Sequence, residues 1–269
     1  PLSRGVLERY LRLMADAPGV SVVPTLKPLD ENQGAFLLEI TRALDSVDGF
    51  VNLDNRGTTP VGVHQAFVGV NLNSALGLME RTRLAVFTIP ATPEELLYFE
   101  VSQEHILNTE GTKLSLSASR SLVDTGEAGN DSKENSFGTR FVLGISHPII
   151  RRRDQSLTVG LKLDSLDSDK NSASDVFDER LRVFRLNGQY NFADEFGGTN
   201  FLSAELSQGA DILHATDRDA TLLSRTNGRA VFTKLLLDVT RVQKLARDWA
   251  LQISASGQKS NQTLLSSEE

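Results

Sequence analysis

The stretch VFRLNGQYNF, residues 183–192, decides the fold because its side chains alternate in character with a two-residue period. One face carries Phe184, Leu186, Gly188, Tyr190 and Phe192, and the other carries Val183, Arg185, Asn187, Gln189 and Asn191. Successive side chains of a β-strand point to opposite faces, so this period is that of a strand. The stretch therefore predicts a β-strand with one apolar and one largely polar surface.

The same alternation recurs along the second half of the chain, in segments 111–123, 137–147, 156–164, 181–192, 199–207, 229–242 and 248–257. Long polar loops at 124–136, 165–179 and 208–228 alternate with short turns near 148–155, 193–198 and 243–247. An antiparallel sheet with long loops at one end and tight turns at the other is typical of an outer-membrane barrel. We expect about eleven such strands from residue 47 onward, without crossover helices.

The composition narrows the function classes. A net charge of -7 and a pI near 5.2 argue against a nucleic-acid-binding protein. The absence of cysteine excludes disulfides and thiolate metal sites. No apolar run reaches the ~18 residues of a membrane-spanning helix, whereas barrel strands present only every second side chain to lipid. The aromatic content of 6% is low for a barrel with aromatic girdles.

Residues 1–46 have a different pattern. Ser3 can cap a helix whose apolar positions recur at helical spacing and which ends near Pro18 and Gly19. Two strand-like runs follow at about 20–27 and 34–43, and we expect the helix to pack on the second one. This segment is too short to bury a core alone, which indicates the end of a small α+β domain.

The polar faces of the strands supply the candidate functional residues. Uniform polar faces suit a water-filled barrel interior, although any single strand would equally fit the solvated face of a soluble sandwich. The candidates for the wall of such a pore are Lys113, Ser115, Ser117, Lys162, Arg185, Asn187 and Gln189. They would line a path and perform no chemistry.

We expect no catalytic, metal or cofactor site. The spacing of Asp167, Asp169 and Asn171 approaches that of a calcium loop, but Ser172 replaces the required glycine, so a solvated surface loop is the favoured interpretation. The four histidines lie far apart without a second ligand at a useful spacing. The run of arginines at 151–153 is interpreted as a solvated cluster near anionic lipid headgroups.

Four stretches resemble the two-partner-secretion transporters of the FhaC/ShlB type. LERYLRLMADAPGVSV (7–22) resembles the last helix and hairpin of a POTRA domain, and VDGFVNLDNRGTTPVGVHQ (47–65) resembles the start of the barrel. GISHPIIRRRDQSLTVGLKLD (144–164) resembles middle strands of that barrel. DWALQISASGQKSNQTLLSSEE (248–269) is similar to the approach to the family's inward-folded loop.

The resemblance implies a mainly β protein: about eleven of sixteen strands of an antiparallel transmembrane β-barrel (47–269), preceded by the C-terminal part of a POTRA domain (1–46). We expect this to be a fragment, because the family's V-R-G-[YF] tetrad would follow residue 269. The implied function is secretion of a partner exoprotein of the haemolysin or adhesin type across the cell outer membrane. The implied pore is a monomer in contact with outer-membrane lipid, with the POTRA part in the periplasm.

Other classes stay open at this point. The same superfamily includes factors that insert other barrels, and a passive porin or a soluble extracellular β-protein would show similar strands. With its amino end in the periplasm, a barrel starting near 47 would place the loops 124–136, 165–179 and 208–228 outside the cell. The turns 148–155 and 193–198 would then face the periplasm.

Overall fold

The computed structural model describes residues 3–29, 36–58, 62–125, 134–172, 175–217 and 220–269. Helix α1 (Arg4–Ala15) is followed by β1 (Val20–Pro28) and β2 (Phe36–Leu44), which pair antiparallel in a two-stranded sheet. Among the described residues, no helix is long and apolar enough to cross a bilayer.

An eleven-stranded antiparallel sheet forms the rest of the chain, and each strand pairs with its neighbours in sequence. Its members are β3 (Val47–Asp54), β4 (Gln65–Asn73), β5 (Glu80–Thr88), β6 (Leu96–Ile106), β7 (Lys113–Thr125), β8 (Glu134–Arg151), β9 (Gln155–Ser172), β10 (Val176–Ala193), β11 (Gly198–Gly209), β12 (Thr233–Ala246) and β13 (Trp249–Ser260). The edge strands β3 and β13 do not pair with each other, so the sheet is open over the described residues. The expected run of about eleven antiparallel strands without crossover helices is confirmed.

Connections of different length lie at the two ends of this sheet. The short-turn end comprises 74–79, 107–112, 152–154, 194–197 and 247–248, and the opposite end, the loop end, includes the long connection 210–232. Short turns are therefore present close to the expected 148–155, 193–198 and 243–247, although β8 and β12 extend into the first and last of these ranges, and the long loop near 208–228 is present. Most of the expected loop at 124–136 lies outside the described residues.

The expected loop at 165–179 is wrong. Strand β9 continues to Ser172 and β10 starts at Val176, with Asp169 opposite Asp178 and Asp167 opposite Arg180. These segments are polar because both faces of the hairpin contain charged and hydroxyl side chains, and that composition resembles a loop. The Asp167–Asn171 spacing thus falls on a strand and not on a calcium-binding turn.

Local signals explain α1. The Ser3 hydroxyl accepts a hydrogen bond from the Val6 amide, as an N-cap does, and Gly19 takes a left-handed φ of 68° after the helix ends. The expected packing of α1 on the second strand is wrong: α1 contacts β1 and β8, and Phe36 is 62% exposed. Leu13 of α1 instead packs at the short-turn end of the large sheet.

An apolar core cluster lies near the loop end, on one face of the sheet. It contains Leu181, Val183, Ala230, Phe232, Leu264 and Leu265. The last two residues belong to the segment after β13, which closes with a single 3₁₀ turn at Ser266–Glu268. This cluster therefore seats the segment 261–269 and the loop 210–232 against the sheet.

Candidate functional site

The polar face of the large sheet gathers the sequence candidates. Cross-strand pairing places six residues in one row across β7 to β12: Ser115, Gly144, Lys162, Arg185, Ser207 and Lys234. Three of the seven candidates belong to this row, and alternation places the other four, Lys113, Ser117, Asn187 and Gln189, on the same face. We call this surface the polar face.

The opposite surface, the apolar face, is exposed and continuous. Its central row crosses five strands and contains Ile145, Leu161, Leu186, Leu206 and Leu235. Their exposed fractions are 45%, 49%, 55%, 45% and 42%. A row of exposed aliphatic side chains this long is unfavourable in water, and it fits an apolar surrounding such as lipid.

Arg185 is the centre of a charge cluster on the polar face. Its Nε atom lies 3.1 Å from Oδ2 of Asp164, and its Nη1 atom lies 3.0 Å from the Ser207 hydroxyl and 3.3 Å from Oε1 of Glu205. Its two terminal nitrogens also donate to the carboxylate of Glu268 at 2.7 and 2.5 Å. The Arg185 side chain is only 12% exposed, so it is a fixed structural ion rather than a mobile cation in the path.

Lys234 reinforces the same contact. Its Nζ atom lies 2.6 Å from Oε1 of Glu268 and donates to the Glu268 backbone oxygen at 2.7 Å. Both side chains are nearly inaccessible, at 8% and 3% exposed. Buried charges require such partners, because an unpaired ion in a low-dielectric site is costly. The segment 261–269 is therefore fixed to the polar face by ionic contacts as well as by the apolar cluster.

An open cleft borders this cluster. Its volume is about 470 Å³, and its lining includes Arg140, Lys162, Asp164 and Glu205. Arg140 binds Asp164 through Nε at 2.8 Å and Nη2 at 2.5 Å, a bidentate geometry. Positive and negative groups alternate around the cleft, so it has no strong field of one sign.

The remaining candidates lie on the polar face with different exposures. Lys113 pairs with Glu104 at 2.9 Å, and the Ser115 hydroxyl donates to the Gly144 oxygen at 3.4 Å. Lys162 is exposed and has no ion pair among the described residues.

The last three candidates complete the polar surface. Ser117 lines a smaller cleft of about 220 Å³ beside Tyr98 and Glu100. Asn187 packs close to Gly160, and Gln189 is exposed. The seven candidates thus share one surface but do not form a compact reactive site.

Several residues of the cluster were not among the sequence candidates. Asp164 and Glu205 share a face with Lys162 and Arg185 by simple alternation, so the two-residue period could have identified them. Lys234 and Glu268 meet only because the segment after β13 folds back, which no local pattern encodes. Among the described residues, no group of His, Cys, Asp or Glu has the arrangement of a metal site.

Comparison with known proteins identifies a family. The family described as haemolysin secretion/activation protein ShlB/FhaC/HecB matches residues 38–269. No curated protein matches the sequence.

Two solved structures are similar in fold. CdiB from Escherichia coli superposes with a TM-score of 0.73 at 18% identity, covering 95% of this chain and 47% of that chain. CdiB from Acinetobacter baumannii has a TM-score of 0.60 at 13% identity, covering 95% and 46%. The chain therefore spans about half the length of the solved structures it matches.

Proposed function

Because the chain belongs to the haemolysin secretion/activation family ShlB/FhaC/HecB, we propose that the protein secretes a partner exoprotein across the outer membrane. The family is one of outer-membrane transporters, so the chain is part of an outer-membrane β-barrel protein. The partner would be a single secreted protein of the haemolysin or adhesin type, which crosses the pore by two-partner secretion.

The observation that carries this proposal is the division of one sheet into two surfaces. The row from Ile145 to Leu235 offers aliphatic side chains to lipid, while the row from Ser115 to Lys234 carries hydroxyl and charged groups, of which Lys162 is exposed to water. A membrane pore for a hydrated chain needs both surfaces back to back. The outer-membrane lipid is thus the proposed partner of the apolar face.

The charges on the polar face suit a path that does not bind its cargo. Arg185 pairs with Asp164, Glu205 and Glu268, and Lys234 pairs with Glu268, all at hydrogen-bond distances. Paired ions present a weak net field, so a passing polypeptide finds hydrogen-bonding groups but no strong site of attachment. The proposed transport uses neither a cofactor nor nucleotide hydrolysis.

Residues 1–46 are proposed to be the C-terminal part of a periplasmic POTRA domain. Strands β1 and β2 pair only with each other, and among the described residues each leaves one edge free. A free edge can add a strand from an unfolded exoprotein through backbone hydrogen bonds, which tolerates many sequences. The barrel itself, 47–269 in this chain, would act as a monomeric pore.

The alternative role, insertion of other barrels into the membrane, is not favoured, because the matching family is the secretion and activation family.

A second alternative, the passive porin, leads to a different experimental prediction. We propose to compare, by mass spectrometry, the culture medium of cells with and without the gene. Loss of one large exoprotein from the medium, restored by the gene on a plasmid, supports secretion. An unchanged medium with altered uptake of small solutes contradicts it and supports the porin.

A further inference from the structure

Helix α1 lies against the short-turn end of the large sheet and makes specific contacts there. Asp16, at the end of α1, accepts two hydrogen bonds from Arg151 of β8, at 2.7 Å from Nε and 2.5 Å from Nη2. The two side chains are 27% and 26% exposed. A bidentate pair of this kind restricts orientation as well as distance.

A second set of polar contacts lies beside the first. The Tyr10 hydroxyl donates to Oε1 of Glu110 at 2.7 Å, and Arg9 lies 3.1 Å from Oε2 of the same carboxylate. Arg9 also donates to the backbone oxygens of Pro148 and Ile149 at 3.3 and 3.4 Å. One helix face is therefore bonded both to the turn 107–112 and to the end of β8.

An apolar contact lies between these polar ones. Leu13 is 8% exposed and packs against Gly111, a glycine that also lies close to Pro148. A Cβ atom at Gly111 would lie 2.5 Å from Cδ2 of Leu13, so only glycine leaves room for this side chain. Gly111 also has a φ of 84°, which other residues rarely adopt. The turn 107–112 is shaped to receive the helix.

The same part of the chain is attached at a second place. Asn73, at the end of β4, is fully buried and donates to the Asp45 oxygen at 2.9 Å and to Oδ2 of Asp48 at 2.7 Å. The Asp45 amide in turn donates to the Gly19 oxygen at 2.8 Å. The connection from α1 to β1 and the connection from β2 to β3 are thus joined to the sheet at β4.

These two attachments are four strands apart in the sheet, at β4 and β8, which corresponds to about 19 Å at the usual strand spacing. A single attachment would act as a hinge, whereas two attachments this far apart prevent rotation about either one.

We infer that α1 is a positioning element, which fixes the orientation of the β1–β2 sheet relative to the pore so that an exoprotein captured there is delivered to the polar face. The inference rests on the proposed secretion function. Asp16 and Arg151 are the positioning residues whose contact is most readily tested, because their charges can be exchanged. A purely stabilising role would affect barrel assembly, whereas a positioning role affects secretion in barrels that have assembled.

The test uses the full-length protein and the exoprotein identified by the comparison of culture media. We expect Asp16→Arg and Arg151→Asp each to lower secretion about fivefold, the size of effect that one coupled charge pair produces. The double exchange should restore secretion to within about twofold of wild type, because the pair re-forms with opposite sign. Arg153→Asp is the matched control, since Arg153 is exposed in the adjoining turn 152–154 and has no ion pair among the described residues.

Heat-dependent gel mobility and pore conductance are measured for each variant and should be unchanged. Normal secretion by both single variants, or a double variant as poor as the singles, would overturn the inference. If the single variants fail to assemble, the exchange of Arg9 and Glu110 (R9E with E110R) provides the same test at the neighbouring contact. Wild-type cells that secrete no more exoprotein than the deletion strain would instead refute the proposed function, and the inference with it.

Discussion

The Arg185 side chain donates two hydrogen bonds to the carboxylate of Glu268, at 2.7 and 2.5 Å, although 83 positions separate the residues in the chain. Lys234 donates to the same carboxylate, and all three side chains are nearly buried. This contact joins the wall of the sheet to the segment that folds back over it. One carboxylate therefore supplies the ion pairs that hold that segment to β10 and β12, beside the apolar contacts of Leu264 and Leu265.

Replacing that carboxylate should loosen the segment and leave the sheet intact. In Glu268→Gln, Arg185 keeps Asp164 and Glu205 as partners, so the strands should stay paired. Removing one member of a buried ion pair costs about 3 kcal/mol or more, and here the cost falls on the seating of 261–269. We expect larger and noisier pore conductance in planar bilayers, with normal heat-dependent gel mobility.

Glu269→Gln is the control for this change. Glu269 pairs with Arg225 but is 54% exposed, so the loss of its charge should cost less than about 1 kcal/mol. Equal conductance in the two variants would mean that the Glu268 contact does not hold the segment.

The two faces of β10 should respond in opposite ways to the same substitution. Leu186 is 55% exposed within the aliphatic row, so Leu186→Arg should destabilise the inserted barrel by about 2–4 kcal/mol if it lies near the bilayer midplane. Asn187→Arg, at nearly the same depth on the polar face, should alter conductance and leave stability nearly unchanged. Urea unfolding in lipid vesicles measures the stability of both variants. Equal destabilisation would contradict the assignment of the two faces.

Protease treatment of intact cells should separate the two ends of the sheet. Arg225 lies in the loop 210–232 beside the exposed Thr226, so trypsin added outside should cleave there. Arg152 and Arg153, in the turn 152–154, should be cleaved only after the outer membrane is opened. Lys170 and Arg180 should resist because they lie in paired strands. Cleavage at Arg152 in intact cells would mean that the sheet has the opposite orientation in the outer membrane.

Acid should weaken the docking of α1. The Tyr10 hydroxyl and then the Arg9 guanidinium hold the pKa of the Glu110 carboxyl below its ordinary value. A lowered pKa means that the contact is fully present at neutral pH and is lost as the pH falls through the depressed pKa of Glu110, below the ordinary pKa of a glutamate side chain. Spin labels at Met14→Cys and Arg153→Cys should give one narrow distance at pH 7 and a broader distribution in acid. Glu110→Gln should reduce the broadening of the distance distribution in acid. A wild-type distribution that stays narrow in acid would contradict the role of Glu110 in the docking of α1.

The two-residue period was sufficient to predict most of the fold. The strands around Leu114, Leu161 and Leu186 alternate cleanly, because each has one apolar and one polar face, and the structure confirms them. The period failed at 165–179. Near the loop end, the residues around Asp167 and Asp169 do not alternate between apolar and polar side chains. The sequence there resembles a loop, although the backbone is paired in strands.

Contacts between distant segments could not be predicted in the same way. Nothing near Leu13 in sequence indicates Gly111, and the apolar side chains of β2 offered a plausible but incorrect partner for α1. The candidate Arg185 was assigned to the correct face, but its burial by Glu268 depends on the fold-back of 261–269. Local periodicity specifies which face a side chain occupies and does not specify which segment covers it.

The most direct test of the proposed secretion path detects the exoprotein on the polar face. A photo-crosslinking amino acid is placed at Lys162, which is exposed on the polar face, or at its neighbour Leu161, which is 49% exposed on the apolar face. Cells actively secreting the exoprotein are then irradiated. If the polar face is the secretion path, position 162 forms a crosslink to the exoprotein and position 161 forms none. The absence of a crosslink from position 162, or equal crosslinks from both positions, would contradict the claim that the polar face is the secretion path.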